Sequence, residues 1–224
     1  MHQWLNKHPQ VYLPPCKEVH YFDINMHQSI QWYESHFENA SKTQQCGEIT
    51  PFYLFHPQAP QRIKKILPKV KMIILLRDPV ERALSQLFHA RKRGFETLEP
   101  SEALAAEKSR MESGSAYSHQ KHSYVSRSKY IEQLDRYEKE FPKDQLLVLK
   151  SENMFKQSKD CLNKIEQFLK IKSSDHKEQI PKANEGLDKT YAVSEDLQLR
   201  LRNQLMETAR SIRQRYGFGW DWDT

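Results

Sequence analysis

Residues 71–86 read KMIILLRDPVERALSQ, and their order decides the fold class. Lys71 leads into five apolar residues, Met72 to Leu76, the length of a buried strand. Arg77 closes the run. Asp78 is a favoured helix N-cap, and Pro79 suits the first helical position, where its missing N–H costs nothing. The stretch predicts a strand that turns directly into a helix, with a guanidinium at the strand's carboxyl end. Open parallel sheets bind their ligands at that edge. Ser85 falls eight residues after Arg77, about two helical turns further on. An arginine, a hydroxyl and a helix N-terminus close together suit a phosphate.

Working outward, helices and strands alternate. Residues 2–7 read as the end of a helix, 11–13 as a short strand and 16–28 as a loop. Ser29 opens a short helix with Trp32, Tyr33 and Phe37 on its apolar side. Residues 45–50 read as a strand and 57–67 as an amphipathic helix. The helix from Pro79 runs to Arg93 and stops at Gly94. A further helix covers 101–111, and residues 113–121 read as a mobile loop. A helix over 128–140 is followed by a second buried strand, 145–149, and an amphipathic helix, 160–169. Ser194 caps a last helix to about Tyr216. Alternating strands and helices imply a parallel sheet. No linker divides the chain, so residues 1–224 are expected to form a single domain.

Composition narrows the function. The chain of 224 residues carries a formal charge of +6, which favours an anionic ligand. No helix-turn-helix, zinc module or RNA-binding signature is present, so a nucleic-acid partner is not expected. No G-x-x-x-x-G-K-[ST] loop marks a phosphate-cleaving P-loop enzyme. The longest apolar run is five residues, far short of the roughly 20 a membrane helix needs. The polar start shows no signal peptide, so a cytoplasmic location is expected. Cys16, Cys46 and Cys161 are scattered and odd in number, which argues against a disulfide framework or a zinc site. No metal is expected.

Arg77-Asp78-Pro79-x-x-Arg82-x-x-Ser85 after an apolar strand resembles the 3′-phosphate-binding element of sulfotransferases. Three further segments are similar to the heparan sulfate sulfotransferases and follow in the same order: Lys17-Glu18-Val19-His20-Tyr21-Phe22-Asp23, Gly47-Glu48-Ile49-Thr50-Pro51-Phe52-Tyr53-Leu54, and Tyr130-Ile131-Glu132-Gln133-Leu134 with 141–150 behind it. The resemblance covers most of residues 4–170. It implies a P-loop-like three-layer α/β fold, a central parallel sheet flanked by helices. It also implies transfer of a sulfuryl group from 3′-phosphoadenosine 5′-phosphosulfate to a hydroxyl of a glycan or small acceptor.

The same resemblance assigns roles. Arg77 and Ser85 would hold the donor's 3′-phosphate, and Arg127 and Tyr130 precede the helix that lies near the nucleotide in relatives. Glu18 matches a catalytic glutamate and is the candidate general base. His20 is a second catalytic candidate, as base or as the group that orients Glu18. Lys17 could attract an acidic acceptor. Arg82, one turn beyond Asp78, reads as a helix-surface ion pair. His119, Lys121, His122 and Tyr124 read as a solvated loop.

The chain departs from the family pattern in three places. Heparan-type members carry a lysine where Ile49 stands, which weakens the case for a heparan-like acceptor. Residues 1–9 resemble the end of the helix after the loop Lys-x-Gly-Thr-Thr, which wraps the donor's 5′-phosphosulfate. The first strand and that phosphosulfate loop are therefore expected to be missing, through a late start of the reading frame rather than natural truncation. The segment Lys182-Ala183-Asn184-Glu185-Gly186 lacks the cysteines of the heparan enzymes, which fits a bacterial-type relative. The competing reading is a degenerate, inactive sulfotransferase-fold binding protein.

Overall fold

The computed structural model describes residues 1–173 and 193–223. They run α1 (His2–Lys7), β1 (Val11–Tyr12), α2 (Ile30–Ser35), β2 (Gln45–Cys46), α3 (Phe52–Phe55), α4 (Ala59–Ile66), β3 (Met72–Leu76), α5 (Pro79–Lys92), α6 (Pro100–Glu112), α7 (Ala116–Lys121), α8 (Tyr130–Glu140), β4 (Leu146–Lys150), α9 (Asn153–Lys156), α10 (Ser158–Leu169) and α11 (Glu195–Tyr216). The segment Lys182–Gly186 lies outside the described residues. The chain groups into two compact units. The first holds Met1–Leu75 and the stretch from Gln133 to the end of the first described segment. The second holds Leu76–Glu132 and the last described stretch.

In the first unit, β1 and β2 pair in parallel, Val11 opposite Gln45 and Tyr12 opposite Cys46. β3 and β4 are neighbours in a second sheet. β3 alternates, as a strand with period two must. Ile73 and Leu75 pack with Leu147 and Leu149 against Leu5, Leu162 and Ile165. Met72 and Leu146 pack instead with Ala59, Ile63, Tyr137 and Phe141. Helices thus cover both faces of an α/β sheet, the layered arrangement expected. The burial of side chains such as Leu162 and Ile165 stabilises by about 1.5–3 kcal/mol each.

In the second unit, α5 begins as its sequence dictates. The Asp78 carboxylate accepts from the N–H groups of Val80 (2.8 Å) and Glu81 (3.0 Å). One side of α5 buries Val80, Leu84 and Phe88 against Leu201 and Leu205 of α11. Leu87 and Ala90 meet Ala103 and Tyr124. Gly94 ends this helix at φ 71° and Gly217 ends α11 at φ 74°, left-handed positions that favour glycine. Ser194 caps α11 by accepting from Leu197 N.

Three expectations are corrected. The strand expected over 45–50 shrinks to Gln45–Cys46; beyond it Glu48 is engaged by hydroxyls, Thr50 Oγ1 donating to its carboxylate (2.9 Å). The loop expected over 113–121 contains α7, capped by Ser115, which accepts from Ser118 N; a helix this short has too few turns to show an apolar period. Tyr124, expected in a solvated loop, is fully buried and donates to Glu96 (2.8 Å).

Candidate functional site

The first candidate group lies in the first unit, in the loop after β1. Glu18 and His20 both hold left-handed backbone, φ 58° and 57°. A non-glycine residue pays about 1–3 kcal/mol for such a conformation, and it persists only where surroundings enforce it. Asn25 N donates to His20 O (2.8 Å) and Asn25 Nδ2 to Val19 O (2.9 Å). Arg62 donates to the carbonyls of Phe22 and Asp23, both at 3.1 Å. These contacts hold the loop in its turn.

The turn lines up three side chains. His20 Nδ1 donates to Asp23 Oδ2 (2.8 Å), and His20 Nε2 lies 3.2 Å from Glu18 Oε2. The Asp23 side chain is wholly buried, while the Glu18 side chain is 49% exposed. The hydrogen bonds from His20 to Asp23 and then Glu18 outweigh burial, and push the imidazole up to about 9. His20 is therefore an imidazolium at neutral pH, held between two carboxylates. Of the two catalytic candidates, the structure brings Glu18 and His20 together. It adds Asp23, which the sequence reading had not singled out; its one signal was the i, i+3 spacing from His20.

A third carboxylate, Glu48, is held by hydroxyls. Glu48 accepts from Tyr33 (3.0 Å), Thr50 (2.9 Å) and Tyr53 (3.1 and 3.2 Å). Burial raises its pKa, and the three hydroxyls partly oppose that shift.

The other candidates lie in the second unit. Arg77, at the end of β3, pairs with Glu81 (3.2 Å), and both side chains keep a third or more of their surface exposed. An exposed i, i+4 pair of this kind holds about 0.3–0.5 kcal/mol. Glu81 lies one turn before Ser85 on the same face of α5, so the carboxylate that pairs with Arg77 shares its face with the hydroxyl. Ser85 is half-buried, and its hydroxyl makes no hydrogen bond among the described residues. The first N–H groups of α5 are spent on Asp78, whose other oxygen accepts from Trp222 Nε1 (2.6 Å). An anion here would meet side chains rather than the helix terminus.

Arg127 and Tyr130 are engaged by the protein itself. Arg127 donates to Ser123 Oγ (2.8 Å) and to the carbonyls of His119 (3.2 Å) and Gln120 (2.6 Å) at the end of α7. Tyr130 is buried, and its hydroxyl donates to Arg77 O (2.9 Å). Arg82 is not the surface ion-pair residue expected. Its guanidinium donates to Ser128 Oγ (2.6 Å), Gln86 Oε1 (2.7 Å) and the carbonyl of Tyr124. Ser128 in turn donates to Pro79 O (2.6 Å). These bonds fix the backbone at the start of α5. Among the described residues no cluster of three or more His, Cys, Asp or Glu side chains could hold a metal.

Comparison with known proteins identifies the family. Residues 1–194 match the family model of the sulfotransferase domain. The membrane-associated sulfotransferase kil1 of Dictyostelium discoideum is 43% identical over 86 residues, 37% of this chain and 18% of that protein. Heparan sulfate glucosamine 3-O-sulfotransferase 5 of Homo sapiens is 29% identical over 174 residues, 75% of this chain and 49% of that protein. The chain spans about half or less of the length of these curated relatives. A sulfotransferase structure from Alicyclobacillus acidocaldarius superposes with a TM-score of 0.83 at 24% identity, covering 100% of this chain and 92% of that one. At that identity the likeness speaks for the fold alone.

Proposed function

The chain belongs to the sulfotransferase domain family, and from that premise we propose that it moves a sulfuryl group from 3′-phosphoadenosine 5′-phosphosulfate to a hydroxyl of a glycan or small acceptor. The glycan part of the reading is supported by the heparan sulfate relatives. Residues 1–224 act as one catalytic domain. The observation that carries the proposal is the Glu18–His20–Asp23 relay.

Such a transfer needs a base for the acceptor proton, positive groups for the anionic donor, and a fixed alignment. Glu18 is the base. Its carboxylate is accessible, and a protonated His20 has no lone pair with which to compete for the proton. His20 instead orients Glu18, and the buried Asp23 holds the ring through Nδ1. The spacing also favours this division: Glu18 reaches Nε2, and Asp23 reaches Nδ1, so one ring fixes both carboxylates.

Arg77 and Ser85 bind the donor's 3′-phosphate. The fit is supported by an accessible guanidinium whose one side-chain partner among the described residues is a weak surface ion pair, and by a hydroxyl left unbonded on the same helix face. A dianion would displace Glu81 and gain charge-assisted hydrogen bonds. Arg127 and Tyr130 support the nucleotide side by holding backbone. The three cysteines are free, which suits a reducing compartment, and a cytoplasmic site of action completes the reading. No helix among the described residues is long and apolar enough to cross a membrane.

The test is transfer of labelled sulfate from the donor to a panel of glycans and small alcohols, beside a thermal shift with 3′-phosphoadenosine 5′-phosphate. The proposal expects a raised melting temperature and transfer to at least one class of hydroxyl. Absence of any shift at millimolar ligand would overturn it.

A further inference from the structure

Glu48 has no part in the relay, yet its surroundings are costly to build. A carboxylate moved out of water loses several kcal/mol of hydration unless hydrogen bonds replace it. Three hydroxyls do so here, from Tyr33, Thr50 and Tyr53. The two phenols among them also flank the ring of Phe22. Its centroid lies 5.2 Å from that of Tyr33 and 5.5 Å from that of Tyr53, both edge-on. Tyr21 stacks on Tyr33 at 4.6 Å and meets Phe22 edge-on at 5.1 Å.

The Tyr53 hydroxyl works in both directions. It donates to Glu48 and accepts from the N–H of Phe22 (3.3 Å). Phe22 is buried and directly precedes Asp23. Its N–H would otherwise be an unpaired buried donor. The path is therefore continuous: carboxylate of Glu48, phenol of Tyr53, main chain of Phe22, carboxylate of Asp23, imidazole of His20. A hydrophobic residue at position 48 could fill the space, but it could not turn the Tyr53 oxygen so that its lone pair faces Phe22.

We propose that Glu48 is the positioning residue of the relay: through Tyr53 it sets the main chain at Phe22, and so the place at which Asp23 meets His20. This rests on the reading of Glu18, His20 and Asp23 given above. The role is separate from catalysis, since Glu48 reaches the relay through another side chain. It requires both oxygens of Glu48 as acceptors, Oε1 for the two phenols and Oε2 for Thr50 and Tyr53, which an amide of the same shape serves poorly, having one acceptor oxygen and an NH2 group.

The experiment follows the His20 ring by NMR, in protein labelled with carbon-13 at histidine Cε1, and assigns its signal with His20→Asn. The wild-type midpoint is expected near 9. Glu48→Gln and Tyr53→Phe should each lower it by about one unit or more, with the fold retained by circular dichroism. The double variant should lower it no further than the larger single change, because both act on one path. A midpoint unchanged in both single variants overturns the inference, whatever they do to the melting temperature. Should Glu48→Gln fail to fold, Tyr53→Phe alone decides. A wild-type midpoint near 6.5 sinks the relay itself, and is thereby distinguished from a raised midpoint that ignores Glu48.

Discussion

The phenol of Tyr130 donates a 2.9 Å hydrogen bond to the main-chain carbonyl of Arg77, from 53 positions along the chain. Tyr130 is 2% exposed, and its ring lies 6.4 Å from that of Trp220. The carbonyl at the end of β3 is thus satisfied by a side chain that cannot swing away. The guanidinium proposed to grip the 3′-phosphate leaves a backbone pinned at its own residue. Tyr130→Phe keeps the ring and leaves that carbonyl unpaired. It should lower stability by about 1–3 kcal/mol in urea unfolding, and weaken 3′-phosphoadenosine 5′-phosphate in calorimetry. An unchanged dissociation constant in a destabilised variant would separate the pin from the grip.

Arg77 and its helix partner should move ligand binding in opposite directions. Arg77→Ala is expected to abolish the thermal shift given by 3′-phosphoadenosine 5′-phosphate. Glu81→Gln removes the carboxylate that competes for the guanidinium (3.2 Å). Its affinity should rise by about twofold, the value of an exposed i, i+4 pair at about 0.3–0.5 kcal/mol. Tighter binding by Arg77→Ala, or loss of binding in Glu81→Gln, would contradict the assignment.

Glu18→Gln tests the base. Its side chain is half exposed, so the fold should tolerate the change. Transfer should fall by about 10²–10⁴-fold while binding of 3′-phosphoadenosine 5′-phosphate persists. A variant that turns over like wild type would move the base elsewhere.

The His20 imidazolium makes stability depend on pH in a defined direction. Its folded value of about 9 lies above the ordinary 6.5, so the folded protein holds the proton more tightly than the unfolded chain. The contribution is complete below about pH 6.5, declines as pH rises, and is gone above about 9. With the ring 19% exposed, the effect should amount to about 1–3 kcal/mol. Melting temperatures between these pH values should fall for the wild type, and His20→Asn should flatten that part of the profile. A wild-type profile as flat as the variant's would show that the ring carries no such proton.

Local elements were legible because local rules govern them. The apolar run before Arg77, the cap at Asp78 and the proline behind it define β3 and α5 within a residue or two. Ser29 and Ser194 are caps for the same reason, each accepting from the N–H three residues on. α7 is not legible in the sequence, since its six residues carry no apolar period and depend on the Ser115 cap. The role of Arg82 is hidden because nothing in its neighbours announces Tyr124 and Ser128, more than 40 positions away. The strand over 45–50 was overextended because Glu48 looks like any polar residue until three hydroxyls converge on it.

By itself the sequence determined the order of strands and helices, the arginine at the strand end, the hydroxyl two turns beyond it, and a loop bearing Glu18 and His20. Those follow from propensity, capping and periodicity, which act over a few residues. Only the tertiary structure decided that Asp23 backs His20, that Glu48 stands behind Phe22, and that Tyr130 is spent on the Arg77 carbonyl. The left-handed turns at Glu18 and His20 are the physical reason in the first case. Neither residue prefers that conformation, so neither announces it; hydrogen bonds from Asn25 and Arg62 hold the loop in it. In the other cases, buried polar groups had to find partners wherever the folded chain brought them.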